Sequence, residues 1–283
     1  MQRTYVLLDA PSNLGLRPPE DGVVPGVYKL AGALRDHALL ERLRAAEGGV
    51  VTPPRYRPEW TPPGPPRNEG AIRSYSLELA ARVGRILDDG GFPVVLGGDC
   101  SILLGNLLAL RRRGRYGLAY LDAHSDFRHP GNADAVGAVA GEDLALATGR
   151  GGVLADLDGR RPLVRVEDVA TLGIRDPDYL DELTDLGMVA ADAGEALDRL
   201  ERAELDGFWV HVDTDVLDAA LMPAVDSPEP NGLSWADFEE TVAALVRSER
   251  AVGLELTIFD PDLDPDGALA ARLADAVVHV LAG

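Results

Sequence analysis

Apolar and β-branched residues recur along the chain in short runs, and each run gives way to glycine or acidic residues. Such runs are typical of strands that are buried on both faces of a sheet. Six runs have this form: Tyr5–Asp9, Val94–Asp99, Leu118–Asp122, Val169–Ile174, Phe208–Asp213 and Val252–Ile258. Between them, apolar residues return every three or four positions, which predicts amphipathic helices. The clearest helical segments are Gly70–Leu87, Ser101–Leu110, Ser234–Val246 and Leu269–Leu281.

Strands that alternate with helices predict an α/β protein, in three layers of helix, sheet and helix, with a mostly parallel central sheet. The 283 residues are 46% hydrophobic, enough to bury a full core, so we expect one domain over residues 1–283. Residues 52–68 are rich in proline and therefore predict an ordered surface loop in place of a helix or central strand.

Composition narrows the range of partners and compartments. The formal net charge of −20 argues against nucleic acid or an anionic membrane as a partner and leaves a small molecule as the expected ligand. No window is apolar enough for a membrane span, and the first residues do not follow the signal-peptide pattern. The single cysteine, Cys100, excludes an intramolecular disulfide. These features together predict a cytoplasmic protein.

Acidic and imidazole groups cluster where three of the predicted strands end. The segments are Gly97-Gly98-Asp99-Cys100, Asp122-Ala123-His124-Ser125-Asp126 and Asp213-Thr214-Asp215. Residues i and i+2 of a strand point to the same side, and ligands of parallel sheets bind at the carboxyl ends of the strands. We therefore expect one pocket to hold Asp122, His124, Asp126, Asp213 and Asp215.

The number and type of these side chains indicate the chemistry. Five carboxylate or imidazole ligands exceed what one zinc ion takes, and oxygen-rich mixtures suit manganese or magnesium. The residues alone therefore predict a binuclear metallohydrolase.

The ordered set of motifs resembles the ureohydrolase superfamily, which comprises arginase, agmatinase, formimidoylglutamase and guanidino-acid hydrolases. The resemblance covers most of the chain. It begins near Asp21-Gly22-Val23, includes Gly173-Ile174-Arg175-Asp176 and ends near Asp260-Pro261. It implies an arginase-like fold, a small guanidino or amidino substrate, and assembly into trimers or hexamers.

The resemblance also implies two Mn²⁺ ions and a role for each ligand. Three aspartates would contact both ions, and these are Asp122, Asp126 and Asp213. The second ion would also be bound by His124 and Asp215, and the first ion would lie beside Cys100. A hydroxide shared by the ions would attack the central carbon of the substrate. Asp126 would orient this hydroxide and pass its proton to the leaving amine.

Three positions depart from the pattern of the superfamily. Cys100 stands where a histidine is usual, which is expected to weaken or alter one metal site and to favour Zn²⁺ or Fe²⁺ there. Ala140-Gly141 matches a histidine-glycine pair that serves arginases as a proton shuttle. Ile258 matches the glutamate that binds the guanidinium of arginine or agmatine. Glu255, three residues earlier, is expected on the other face of the strand.

Some further residues have expected roles. By resemblance, Asn132 would contact the carboxylate and Asp178 the α-ammonium of an amino-acid substrate. Asp99 is expected to fix its loop or a ligand imidazole. His211 lies on the same strand face as Asp213, from which it can approach the metals. By resemblance this position supports the ligands and does not bind metal, so we interpret His211 as a core histidine with its hydrogen bonds satisfied.

These observations favour a hydrolase that cleaves a C–N bond of a guanidino or hydroxyguanidino compound such as N-hydroxyarginine, with release of urea or hydroxyurea. A hydroxyguanidine has a less basic leaving side, which suits the missing shuttle and the missing carboxylate. Three alternatives stay open: a formimidoylglutamase- or agmatinase-like hydrolase, a mononuclear zinc or iron amidohydrolase, and a non-catalytic metal-binding homologue.

Overall fold

A computed structural model describes residues 3–282 and places seven strands in one parallel sheet. The spatial order is β2-β1-β3-β7-β6-β4-β5, and every pairing between neighbours is parallel. The strands are β1 (Tyr5–Asp9), β2 (Ala46–Val50), β3 (Phe92–Leu96), β4 (Gly117–Leu121), β5 (Val169–Leu172), β6 (Phe208–Asp213) and β7 (Ala251–Thr257). The predicted mostly parallel sheet is confirmed.

Helices cover both faces of this sheet and make the fold three-layered. They are α1 (Leu30–Asp36), α2 (Leu39–Arg42), α3 (Glu69–Asp88), α4 (Leu103–Arg111), α5 (Asp143–Ala147), α6 (Leu180–Asp185), α7 (Ala193–Leu200), α8 (Trp235–Arg247) and α9 (Ala268–Ala282). Helices α3, α4 and α5 pack together on one face, and α1, α2, α7, α8 and α9 form the layer on the other. Each face has its own apolar core, so strands β3, β4 and β6 are buried along their whole length.

Local sequence explains most element boundaries. Helix α8 begins after Ser234, whose hydroxyl accepts a hydrogen bond from the Asp237 amide at 3.2 Å, as its serine cap predicts. Residues 52–68 form neither helix nor strand, in agreement with their proline content. Strand β2 was not predicted, because it is a glycine-containing edge strand whose residues are half-buried or exposed.

No helix within residues 3–282 has the length and hydropathy needed to cross a membrane.

The sheet order brings the acidic strand ends together. Strands β3, β7, β6 and β4 are consecutive neighbours, so the segments that follow them meet at the carboxyl edge. Gly98 lets the loop after β3 pass close to the chain near Ser12, because a Cβ at Gly98 would lie 1.7 Å from the Ser12 carbonyl oxygen. This close approach sets where the Gly97–Cys100 segment enters the site.

Candidate metal centre

Asp122 lies at the middle of the acidic edge, directly after β4. Its side chain is fully buried, and its Oδ1 accepts a hydrogen bond from the His124 amide at 2.7 Å. Its Oδ2 has no hydrogen-bond partner in the described structure. A buried carboxylate oxygen without a partner is costly, and a bound cation is one way in which proteins satisfy it.

Two groups of potential metal ligands share Asp122. The first consists of Cys100, Asp122, His211 and Asp213, and the second consists of Asp122, His124 and Asp215. Within each group the donor atoms lie within 4.8 Å of one another. Carboxylates and imidazoles dominate both groups, and these donors fit hard or borderline divalent ions. The arrangement therefore fits a pair of ions that share one carboxylate.

His124 and Asp215 form the tightest contact of the second group. Nδ1 of His124 lies 2.8 Å from Oδ2 of Asp215, whose Oδ1 accepts a hydrogen bond from the Ala123 amide at 3.1 Å. Burial lowers the pKa of His124, but the carboxylates of Asp122 and Asp215 outweigh this effect and raise it to about 12. In the absence of metal, a proton on His124 therefore compensates these carboxylates.

Asp126 lines a cavity that opens onto the two ligand groups, but it belongs to neither group. Its backbone has a φ of 43°, a left-handed conformation that is uncommon outside glycine and that often occurs at functional sites. Its Oδ2 accepts a hydrogen bond from the Tyr120 hydroxyl at 2.9 Å. Burial and the nearby charge of Asp122 raise the pKa of Asp126 well above its usual range.

Cys100 is buried beside Asp213, at the place where the superfamily has a histidine. Its Sγ donates to Oδ2 of Asp213 at 2.8 Å. Burial, together with the charge of Asp213, raises the pKa of the thiol well above its usual range, so the metal-free protein holds it as a thiol. Asp99 accepts hydrogen bonds from the Ser101 amide and the Ser12 hydroxyl, so it fixes the loop as expected.

A cavity of about 180 Å³ opens onto the ligand groups. Asp178, predicted to contact substrate, lines this cavity, whereas Asn132 is not among its lining residues. The Asn132 amide instead organises its own loop: it donates to the Phe127 carbonyl and to Glu182, and it accepts from the His129 amide. A substrate contact for Asn132 therefore needs this loop to rearrange.

Three charged residues that line the cavity were not predicted from the sequence to belong to the site. Arg17, Arg128 and Asp226 line it together with Asp178. Arg17 and Asp226 lie in segments without a motif, and only the proximity of Arg128 to Asp126 offered a local signal. The cavity therefore presents both cationic and acidic groups to a ligand.

The other departures from the superfamily pattern lie at the same cavity. Ala140 and Ile258 both line it. Ile258 has a φ of 73°, which is strained for a β-branched residue, and its amide donates to the Gly98 carbonyl at 2.8 Å. Glu255 lies on the face of β7 opposite Leu256, whose core also contains Ile258, as expected. Glu255 pairs with His211 across β7 and β6, and its Oε1 lies 2.7 Å from the imidazole Nδ1.

The fold and the two ligand groups define an α/β protein with a buried acidic centre suited to a pair of divalent ions. The model of the Arginase family matches residues 34–283. The chain therefore belongs to the arginase family and is an arginase-family hydrolase.

Individual relatives agree with this assignment. The chain is 32% identical over 229 residues to a formimidoylglutamase of Aeromonas hydrophila, a match that covers 75% of this chain and 69% of the relative. It is 30% identical over 223 residues to an arginase of Brevibacillus brevis, covering 73% and 74%. The crystal structure of arginase from Bacillus cereus has the same fold, with a TM-score of 0.86, 24% identity and 99% of each chain covered.

Proposed function

We propose that this protein hydrolyses a C–N bond of a guanidino or hydroxyguanidino compound derived from arginine, with N-hydroxyarginine as the leading substrate. Two divalent ions, Mn²⁺ in the first instance, would serve as cofactors. The products would be urea or hydroxyurea and an amine. The observation that carries this proposal is the sharing of Asp122 between two buried groups of metal ligands.

The ligand residues divide between two ions. Cys100 would lie beside the first ion, and His124 and Asp215 would bind the second. Asp122, Asp126 and Asp213 would stand between the ions or contact both. When bound, such ions supply Lewis-acid stabilisation of negative charge and bring the pKa of water close to neutrality.

Asp126 is the proposed proton carrier. It lines the cavity, and the Tyr120 hydroxyl holds one of its carboxylate oxygens. Divalent ions beside Asp126 would favour its ionised form, and a carboxylate held in this way can accept a proton from the attacking water and return it to the leaving nitrogen. Because Ala140 occupies the position of the arginase shuttle, the chain offers no imidazole there to assist the departure of the amine.

The cavity supports an amino-acid substrate with a weakly basic amidine. Asp178 can bind an α-ammonium group, and Arg17 or Arg128 can bind a carboxylate. Ile258 places a buried aliphatic side chain where a guanidinium-binding carboxylate would stand. A hydroxyguanidine carries less positive charge at neutral pH than a guanidine. Its binding is therefore weakened less when an aliphatic side chain replaces the carboxylate.

A second candidate is formimidoylglutamate. The relative from Aeromonas hydrophila is a formimidoylglutamase, and this substrate carries two carboxylates on a short chain. The two arginines of the cavity, Arg17 and Arg128, provide one guanidinium for each carboxylate. The product that reports this reaction is formamide.

The test is a mass-spectrometric product screen of the Mn²⁺-loaded protein. The panel contains arginine, N-hydroxyarginine, agmatine, guanidinobutyrate and formimidoylglutamate. We expect hydroxyurea from N-hydroxyarginine at the highest rate, and no product from the Asp126→Asn variant. Preferential release of formamide would establish the second candidate.

Two outcomes would contradict the leading proposal. Equal turnover of arginine and N-hydroxyarginine would remove the argument from Ile258 and Ala140. Less than about half an equivalent of metal per chain after loading, with no product from any substrate, would favour a non-catalytic homologue.

A further inference from the structure

His211 is the one imidazole of the first ligand group, and it comes from the middle of a buried strand. It lies in β6, two residues before Asp213, so the two side chains share a face of the sheet. Its side chain is fully buried. The expectation of a core histidine with satisfied hydrogen bonds is wrong for one ring nitrogen: Nε2 has no partner in the described structure.

The two polar atoms that face each other here are both unpaired. Nε2 of His211 lies 3.9 Å from Oδ2 of Asp122, which also lacks a hydrogen-bond partner. This separation is too long for a direct hydrogen bond. Donors that bind one divalent ion at about 2.0–2.2 Å lie roughly 3 to 4.4 Å from each other. The pair therefore has the spacing of two ligands of one ion.

The surroundings of His211 fix the ring with Nε2 turned toward Asp122. Nδ1 lies 2.7 Å from Oε1 of Glu255, and the other oxygen of Glu255 accepts a hydrogen bond from the Asn106 amide. The Tyr120 ring stacks on the imidazole, with 4.5 Å between centroids and 9° between planes. A carboxylate on the far nitrogen is the usual way in which proteins orient a metal-binding histidine.

We propose that His211 ligates the first ion through Nε2 and replaces the imidazole that Cys100 no longer provides. In this arrangement the imidazole ligand has moved from the loop after β3 to strand β6. The inference rests on the proposed metal centre, and it adds a ligand that the motif pattern does not assign.

The variant His211→Asn tests this ligand. The asparagine amide can keep the hydrogen bond to Glu255, because it lies near the position of Nδ1, but it has no atom in place of Nε2. Metal is measured by inductively coupled plasma mass spectrometry after loading with Mn²⁺ and dialysis. We expect about two equivalents per chain in the unaltered protein and about one in the variant. The exposed histidine His279 provides the matched control, His279→Asn, which should keep both.

A compensating variant makes the test specific. In His211→Asn, the further change Cys100→His supplies an imidazole from the loop, and we expect it to restore the lost equivalent. Glu255→Gln leaves every ligand in place and disturbs only the orientation of the ring, so metal affinity should fall roughly 10- to 100-fold. The variant Glu255→Gln keeps the test decisive if His211→Asn does not fold. Circular dichroism and the thermal midpoint of the metal-free proteins report folding.

The location of the ion is read directly from anomalous diffraction at the manganese edge in crystals of the loaded protein. A peak within about 2.3 Å of Nε2 supports the proposal. Two equivalents in folded His211→Asn, or a peak out of contact with Nε2, would overturn it. If the unaltered protein binds two ions but hydrolyses nothing in the product screen, the proposed function fails while the ligand role of His211 stands.

Discussion

The Tyr120 hydroxyl donates a hydrogen bond to Oδ2 of Asp126 at 2.9 Å and lies 3.3 Å from Oδ1 of Asp143. Tyr120 is in β4, so the sheet positions the hydroxyl, and Asp143 is the buried first residue of α5. This contact joins the proposed proton carrier to the rigid part of the fold.

Tyr120→Phe should therefore lower kcat by about tenfold, because Asp126 loses the group that orients its carboxylate. The phenylalanine ring keeps the stacking on His211, and metal content should stay unchanged. Steady-state kinetics on the substrate found by the product screen, together with metal analysis, check both expectations. An unchanged kcat would show that Tyr120 does not position Asp126.

Asp122 is expected to govern both ions because it belongs to both ligand groups. Asp122→Asn should reduce bound Mn²⁺ from about two equivalents to less than one, whereas loss of a ligand from one group should remove a single ion. Asp178→Asn is the matched control, because Asp178 lines the cavity outside both groups. It should keep the metal and raise KM. Retention of both ions in Asp122→Asn would exclude a shared carboxylate.

Elements whose pattern lies within one segment of the chain could be predicted well from the sequence. Strand β6 was predicted at Phe208–Asp213 and has those bounds, since six consecutive buried residues leave little ambiguity. Helix α8 was bounded by its serine cap. Strand β2 escaped because Gly48 and Gly49 interrupt any alternation and its burial is slight. An edge strand forms through pairing with β1, which no local pattern records.

Some residues of the site could likewise be predicted from the sequence, and others could not. Asp122, His124, Asp213 and Asp215 lie close together because they stand at or just after the ends of the neighbouring strands β4 and β6. Only Asp213 lies within a strand, so the i, i+2 alternation of a strand does not apply to the other three. The contact between His211 and Glu255 depends on the register of β6 against β7, which only the assembled sheet defines. The positions of Arg17 and Asp226 in the cavity depend on the paths of long loops, and the surrounding residues carry no periodic signal.

Ile258 provides a test of substrate choice. If its aliphatic side chain disfavours a fully charged guanidinium, Ile258→Glu should raise kcat/KM for unmodified arginine by at least roughly tenfold, because a carboxylate would face the cation. Ile258→Gln is similar in size and uncharged, so it should not produce this gain. Competition between arginine and N-hydroxyarginine in one reaction, followed by mass spectrometry, measures the change. Equal gains in both variants would assign the effect to polarity alone.

Glu142 should make stability depend on pH. The residue is only 4% exposed, its Oε1 accepts a hydrogen bond from the Ala138 amide, and burial raises its pKa from 4.5 to about 7. The folded protein therefore holds this proton more tightly than the unfolded chain does. The resulting stabilisation is complete below about pH 4.5 and is lost as the pH rises through 7.

Glu142→Gln keeps the acceptor and removes the ionisation. Relative to this variant, the unaltered protein should lose about 3 kcal/mol of unfolding free energy between pH 4.5 and pH 8. Urea denaturation of the metal-free proteins at several pH values measures the difference. Glu204→Gln makes the same chemical change at an exposed position and should show little of this dependence. A difference between Glu142→Gln and the unaltered protein that stays constant with pH would mean that Glu142 titrates normally in the folded state.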